Sequence, residues 1–266
     1  MNALEKLQLA ISTGKHICVG LDSDLDKIPE FLLKCSNPIF EFNKKIIEAT
    51  ADYAAAYKLN FAFYEHAGIK GIEALIQTLK IIPRNLLVIA DAKRGDIGNT
   101  SEKYAQSIFE YFNFDSVTLH PYMGFDTIDP FKSYANKLSF ILGLTSNPGS
   151  KDFELLELKN GSLLFQEVIK KVNEWNVLNN LGIVFGATNP EALIKNFSLI
   201  SNLPVLLPGI GAQGGNLHLI SEIFTKKNKN DYLVNISRSL IFADSSENFA
   251  DKVREKIIEF NEHIVQ

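Results

Sequence analysis

Asp91, Lys93, Arg94 and Asp96 crowd the segment DAKRGDIGNT (91–100), directly after the apolar run NLLVIA. Charge at the end of a buried strand is costly to desolvate, so it persists where it is paired or used. Residues 91 and 93 are two apart, so on a strand their side chains share one face while Ala90 and Ala92 take the other. Asp96 follows on the loop, after Gly95 has allowed a turn. An ammonium flanked by carboxylates is equipment for stabilising charge and moving a proton. The competing reading of this stretch alone is a solvated strand end with a fortuitous salt bridge.

A second stretch, PGIGAQGG (208–215), is followed one unit later by NISRS (235–239). Backbone N–H groups in Gly-rich turns and at helix N-termini approach an anion closely, and Arg238 would add a planar, permanently charged fork. A phosphorylated small molecule is the expected ligand. The polar loop TSNPGSKDF (145–153) is long for a connection and is a lid candidate, with Ser146 offering a hydroxyl to a ligand ring; a plain Asn-Pro turn is the alternative. His120, before Pro121, reads as a structural, hydrogen-bonded imidazole, since no second histidine or carboxylate stands at metal-binding spacing. No metal site is expected, and the GxSxG context of a serine nucleophile is absent.

The elements that must position these groups recur along the chain. Eight short apolar runs, HICVGLD, AAYKLN, LLVIADAK, SVTLHPY, LSFILGLTS, LGIVFGAT, LPVLLPGIG and YLVNISRS, alternate with stretches of helical periodicity. Asn37-Pro38 and Asn189-Pro190 supply helix-start signals. Strand then helix, repeated, is the pattern of a parallel sheet, and strands buried on both faces read as continuous apolar runs. The 266 residues match a (β/α)8 TIM barrel, an α/β fold, with an additional N-terminal helix carrying Leu4, Leu7 and Ile11 at helical spacing. An open doubly wound sheet competes poorly: no GxGxxG or Walker pattern follows an early strand, and polar residues mark nearly every strand end. In a barrel those ends, Asp22, Lys58, Asp91 with Lys93, His120, Ser146, Thr188, Gly209 to Gly211 and Arg238, converge on one mouth. No linker divides the chain, so residues 1–266 are expected to form one catalytic domain.

Composition narrows the class. With 46% hydrophobic and 22% charged residues and a formal net charge of −4, the chain is that of a globular protein with no basic field for nucleic acid. The lysines of TKKNKN (225–230) read as a solvated loop. Cys18 and Cys35 stand apart without CxxC spacing, so Cys18 is expected to be a small core residue. No apolar run approaches the roughly 20 residues of a membrane span, and no signal peptide is apparent, so a cytoplasmic protein is expected.

The strings VGLDSD, YKLNFAFYE, DAKRGDIGNT, TSNPGSKDF, FGATNPE, LPGIGAQGG and NISRSLIFA, in that order over about residues 17 to 243, resemble the orotidine 5'-phosphate decarboxylases, in particular their longer bacterial (type 2) branch. The resemblance implies loss of CO2 from orotidine 5'-phosphate to give UMP, in pyrimidine biosynthesis, without metal or organic cofactor. It implies a catalytic tetrad of Lys58, Asp91, Lys93 and Asp96, with Lys93 as proton donor. Asp96 and Thr100 are implied to complete the partner's site in a homodimer. Asp22 and Lys58 would contact the ribose, Ser146 the pyrimidine, and Gln213 with Arg238 the phosphate. Leu59 stands where the family often has Pro. A magnesium-dependent sugar-phosphate decarboxylase or aldolase with the same Asp-x-Lys-x-x-Asp pattern is the nearest rival, disfavoured because Lys58 occupies the strand end where such enzymes place an acid. A phosphate-binding barrel without catalysis is the other.

Overall fold

The computed structural model describes residues 1–211 and 215–265. Eight parallel strands close into a barrel in sequence order: β1 (Ile17–Gly20), β2 (Ala56–Asn60), β3 (Leu87–Arg94), β4 (Ser116–Leu119), β5 (Leu138–Leu144), β6 (Leu181–Phe185), β7 (Val205–Leu207) and β8 (Tyr232–Ile236). Each lies within one of the eight apolar runs, save that β3 continues one residue past its run to Arg94. Helices including Pro38–Thr50, Gly68–Ile81, Gly98–Gln106, Phe125–Lys132, Leu164–Trp175 and Leu217–Lys226 carry the chain back between strands, and Phe249–Glu262 follows β8.

Period-2 alternation sorts each strand between two cores. Cys18, Ala56, Leu87, Ile89, Phe140, Val184, Leu206 and Leu233 fill the barrel interior. Val19, Tyr57, Val88, Ala90, Val117, Ile183 and Val234 face outward into the layer shared with the helices. Ala90 and Ala92 lie in that outer layer, which leaves Asp91 to the inner face as the alternation requires. Cys18 is a fully buried free cysteine whose thiol burial pushes up to about 12, an inert core residue.

The N-terminal helix Ala3–Ser12 opens with a capping box between Asn2 and Glu5 and buries Ala3, Leu7 and Ala10 against the barrel interior, so it stops the end of the barrel opposite the mouth. A Lys6–Asp115 ion pair clamps it there.

Several local expectations change. Asn37 caps its helix by accepting from Phe40 N–H, with Pro38 in the first turn, whereas Asn189 makes no side-chain cap and donates instead to the Thr145 carbonyl. Leu59 continues β2 in register with Ala90, and pairing runs on to Asn60 opposite Asp91, so the absent proline costs the strand end nothing. Lys229 is no solvated lysine: it is buried, paired with Asp231 at 2.6 Å and donating to the Ser201 carbonyl.

Candidate active site

The C-terminal ends of the strands gather the charges. Lys58 comes from the end of β2 and is almost fully buried, a position an ammonium tolerates only if anions compensate it. They do: its Nζ lies 2.6 Å from Asp91 Oδ2 and 3.7 Å from Asp22 Oδ1. Burial by itself would discharge Lys58, but Asp91 and Asp22 outweigh it and raise its pKa above the ordinary lysine value. Asp91 likewise resists the upward push of burial, since Lys58 and Lys93 hold its carboxyl well below the usual carboxylate range. Lys93 Nζ reaches Asp91 Oδ1 at 2.6 Å, and its side chain is 51% exposed against 5% for Lys58. The result is a continuous chain, Asp22, Lys58, Asp91, Lys93, that starts in the interior and ends with an ammonium at the open mouth.

Lys93 owes its direction to an interruption of the sheet. Pairing of β3 with β4 jumps from Ala90 opposite Val117 to Arg94 opposite Leu119, and Lys93 sits at φ +46°, the left-handed region that costs a residue with a side chain about 1–2 kcal/mol. The turn anticipated at Gly95 is therefore made at Lys93 and at Gly98, φ +52°. Gly95 is a glycine for a different reason: a Cβ there would lie 2.5 Å from the His120 Nε2, so only a bare backbone fits under that ring.

Beside the charge chain is a cavity of about 170 Å3 whose walls include Asp22, Lys58, Asp91, Ser146, Asn235 and Arg238. Gly209 and Gly211, both at positive φ, turn the loop after β7 along its edge. A Cβ on Gly211 would collide with Ser239, whose hydroxyl is buried and lacks a hydrogen-bond partner among the described residues. Arg238 opens the short helix Arg238–Ile241 and is exposed toward solvent. Asp22 accepts from Ser237 Oγ at 2.6 Å while its Oδ1 has no hydrogen-bond donor, an unspent acceptor beside the cavity.

Of the residues singled out from sequence, the structure thus brings together Asp22, Lys58, Asp91, Lys93, Ser146 and Arg238. Asp96 stands apart, accepting from Ile97 N–H at 2.8 Å, and among the described residues it makes no ion pair within the chain. Thr100 is exposed on the helix Gly98–Gln106. Gln213 lies outside the described residues. Sequence reasoning missed Thr118, Asn235 and Ser237. Ser237 and Asn235 sat in the quoted NISRS string beside Arg238, but Thr118 had no signal, being one of two hydroxyl residues, with Ser116, in a short strand read as an apolar run.

The lid candidate is tethered at its base. Thr145 donates from both N–H and hydroxyl to Glu154, and the exposed Phe153 ring meets the exposed Tyr122 ring edge-on at 6.2 Å, joining the loops after β5 and β4. Among the described residues no three His, Cys, Asp or Glu side chains cluster so as to hold a metal ion.

Fold and site define a TIM barrel whose mouth is built around a lysine–aspartate–lysine chain that runs from the buried Lys58 to the exposed Lys93. The model of the orotidine 5'-phosphate decarboxylase / HUMPS family matches residues 15–253. An orotidine 5'-phosphate decarboxylase from Phocaeicola vulgatus is 50% identical over 253 residues, 94% of this chain and 93% of that protein. Among solved structures, Leishmania donovani OMP decarboxylase superposes with a TM-score of 0.82 at 34% identity, covering 98% of this chain and 99% of that one. Leishmania donovani UMP synthase gives 0.84 at 36%, with this chain spanning 98% of its own length and 57% of that longer chain. The chain belongs to the orotidine 5'-phosphate decarboxylase / HUMPS family.

Proposed function

We propose that this chain is a carboxy-lyase that converts orotidine 5'-phosphate to UMP and CO2 in pyrimidine biosynthesis. The observation that carries the reading is the ammonium of Lys93 held 2.6 Å from the carboxylate of Asp91, which itself lines a cavity shared with Lys58, Gly209 and Arg238. Breaking the bond from C6 to the carboxylate leaves an electron pair in the plane of the ring, where the π system accepts it poorly. Fixed positive charge must do that work, and a Lys93 ammonium beside C6 would stabilise the developing carbanion and then donate the proton that replaces CO2. Asp91 would face the substrate carboxylate; two like charges about 4 Å apart at an effective dielectric near 20 repel by about 4 kcal/mol, and that repulsion vanishes as neutral CO2 leaves.

The remaining roles are those that the family resemblance implies. Asp22 and Lys58 take the ribose, Ser146 the pyrimidine, and Arg238 with Gln213 the phosphate, whose binding energy closes the loop over residues 145–153 and organises the charges. Asp96 and Thr100, which do not line their own chain's cavity, complete the site of a partner copy in a homodimer. The enzyme works in the cytoplasm as one catalytic unit over residues 1–266, binding neither nucleic acid nor membrane; among the described residues no helix is long and apolar enough to cross one.

Against a magnesium-dependent rival, Lys58 sits between the carboxylates of Asp22 and Asp91 that would have to bind the ion, and its own charge would repel it. The test is the absorbance change on mixing purified protein with orotidine 5'-phosphate, with and without excess EDTA. Turnover at the same rate in both is expected. No change at micromolar enzyme ends the decarboxylase reading, and loss of activity in EDTA transfers the chain to the metal-dependent class.

A further inference from the structure

Opposite the three β3 residues Asp91, Ala92 and Lys93, strand β4 supplies one residue, Thr118. Extra residues in one strand open the ladder and leave backbone groups without their usual partners. Thr118 closes that opening with its side chain. Its Oγ1 accepts from the Lys93 backbone N–H at 3.1 Å and donates to Asp91 Oδ1 at 3.0 Å.

The direction of both bonds is settled by chemistry. An amide N–H can only donate and an ionised carboxylate can only accept, so the hydroxyl proton has to point at Asp91. Thr118 is 2% exposed, so water does not compete for either bond. Asp91 Oδ1 also takes the Lys93 ammonium at 2.6 Å. Lys93 is thereby held at both ends through one oxygen pair: its backbone through Thr118, its ammonium through Asp91, with Thr118 joined to Asp91. Such a closed loop restrains the strained turn at residue 93 and the aim of the amine together, which neither bond would do alone.

We propose that Thr118 is a positioning residue for the decarboxylation: its hydroxyl holds the Lys93 turn and the Asp91 carboxylate in one fixed geometry, so that the ammonium meets the reacting carbon. This rests on the decarboxylase reading above. Preorganised donors act through their placement, and a shift of the order of 1 Å at a reacting group lowers turnover by about 100-fold. Substrate binding, which depends on the ribose and phosphate contacts, does not pass through this residue.

Thr118→Val keeps the branched shape that suits a strand and removes the hydroxyl. The expected result is a kcat lowered by about 10- to 100-fold with affinity for UMP, measured by calorimetry, within about three-fold of wild type. Thr118→Ser, which restores the hydroxyl on a smaller side chain, should recover most of the lost kcat. Hydrogen exchange supplies a readout apart from catalysis: the Lys93 amide should exchange faster in Thr118→Val than in wild type or Thr118→Ser. A Val variant with wild-type kcat overturns the inference, as does a Ser variant as slow as Val, or UMP affinity that falls in step with kcat. Should wild-type protein leave orotidine 5'-phosphate unchanged, the decarboxylase reading has failed instead, and equal Lys93 exchange in all three proteins would then sink the structural claim on its own.

Discussion

The two ends of the barrel use the same pair of residue types for opposite purposes. At the closed end Asp115 takes both of its oxygens to Lys6, at 2.8 and 2.7 Å, and one of them also receives the Val88 N–H, while Lys137 donates to the Phe114 carbonyl. Both oxygens of this aspartate are engaged, and the pair staples the N-terminal helix under the barrel. At the mouth Asp22 Oδ1 has no hydrogen-bond donor, Lys58 stands 3.7 Å from it, and the Lys93 ammonium is half open to solvent. Ion pairs that are saturated fix a structure; the same chemistry left one donor or acceptor short is ready to bind and react.

That contrast can be broken from the mouth first. Lys93→Ala is expected to lower turnover of orotidine 5'-phosphate by at least about 10,000-fold, because it removes both the charge beside the carbanion and the proton source. UMP binding should survive, and a variant that kept its rate would mean the proton donor is another group.

Mixing tests whether one mouth is complete by itself. Lys93→Ala and Asp96→Asn should each be inactive, yet random exchange of subunits makes half the dimers hybrid, each with one intact site of two, so about a quarter of wild-type activity should return. No recovery after proven exchange would return Asp96 to its own chain.

At the closed end the effect should fall on stability. Asp115→Ala strands the Lys6 charge and the Val88 N–H, and a loss of about 3 kcal/mol is expected, read as a lower denaturant midpoint with unchanged slope. Its kcat should stay within about two-fold of wild type. A large loss of turnover with little loss of stability would erase the distinction between the two ends.

The smallest effect concerns pH. Asp91 is held below its ordinary pKa, so its contribution to stability is complete above about pH 4 and disappears only in stronger acid; Lys58 is held above its own, so its contribution is complete below about pH 10. These two contributions are therefore level across the neutral range. His16, near the closed end, is stacked on Tyr232 at 4.1 Å, and burial lowers its pKa despite the bond to the Tyr232 carbonyl. The unfolded chain then binds the proton more readily, and stability should fall as pH drops below about 6.5. His16→Phe keeps the stack without the titration, so its melting temperature should decline less than wild type between pH 7 and 5. Identical slopes would remove His16 as the source.

Much of this architecture was legible beforehand because it depends on local pattern. Continuous apolar runs of strand length, separated by helical periodicity, have one economical closed arrangement, and polar residues at the ends of those runs must then share a mouth. Asp22, Lys58, Asp91, Lys93, Ser146 and Arg238 were found that way. What escaped were groups whose role depends on a neighbour far along the chain. Thr118 matters because β4 falls two residues short of β3 at that point, a register difference that neither strand encodes alone. Gly95 is a glycine because His120, twenty-five residues on, lies against it. Lys229 looked solvated among lysines and is buried because Ser201 and Asp231 receive it.

The chain's order of residues, by itself, determined the alternation of strand and helix, the face each strand side chain takes, and which charges arrive at the mouth, since periodicity and side-chain chemistry act over a few residues. Only the folded barrel decided which of those charges touch, which are saturated, and that the Lys93 turn is held by a hydroxyl from the next strand. Distances of 2.6 Å or 3.7 Å between groups more than thirty residues apart are set by packing and register, and these arise only when all eight strands close together.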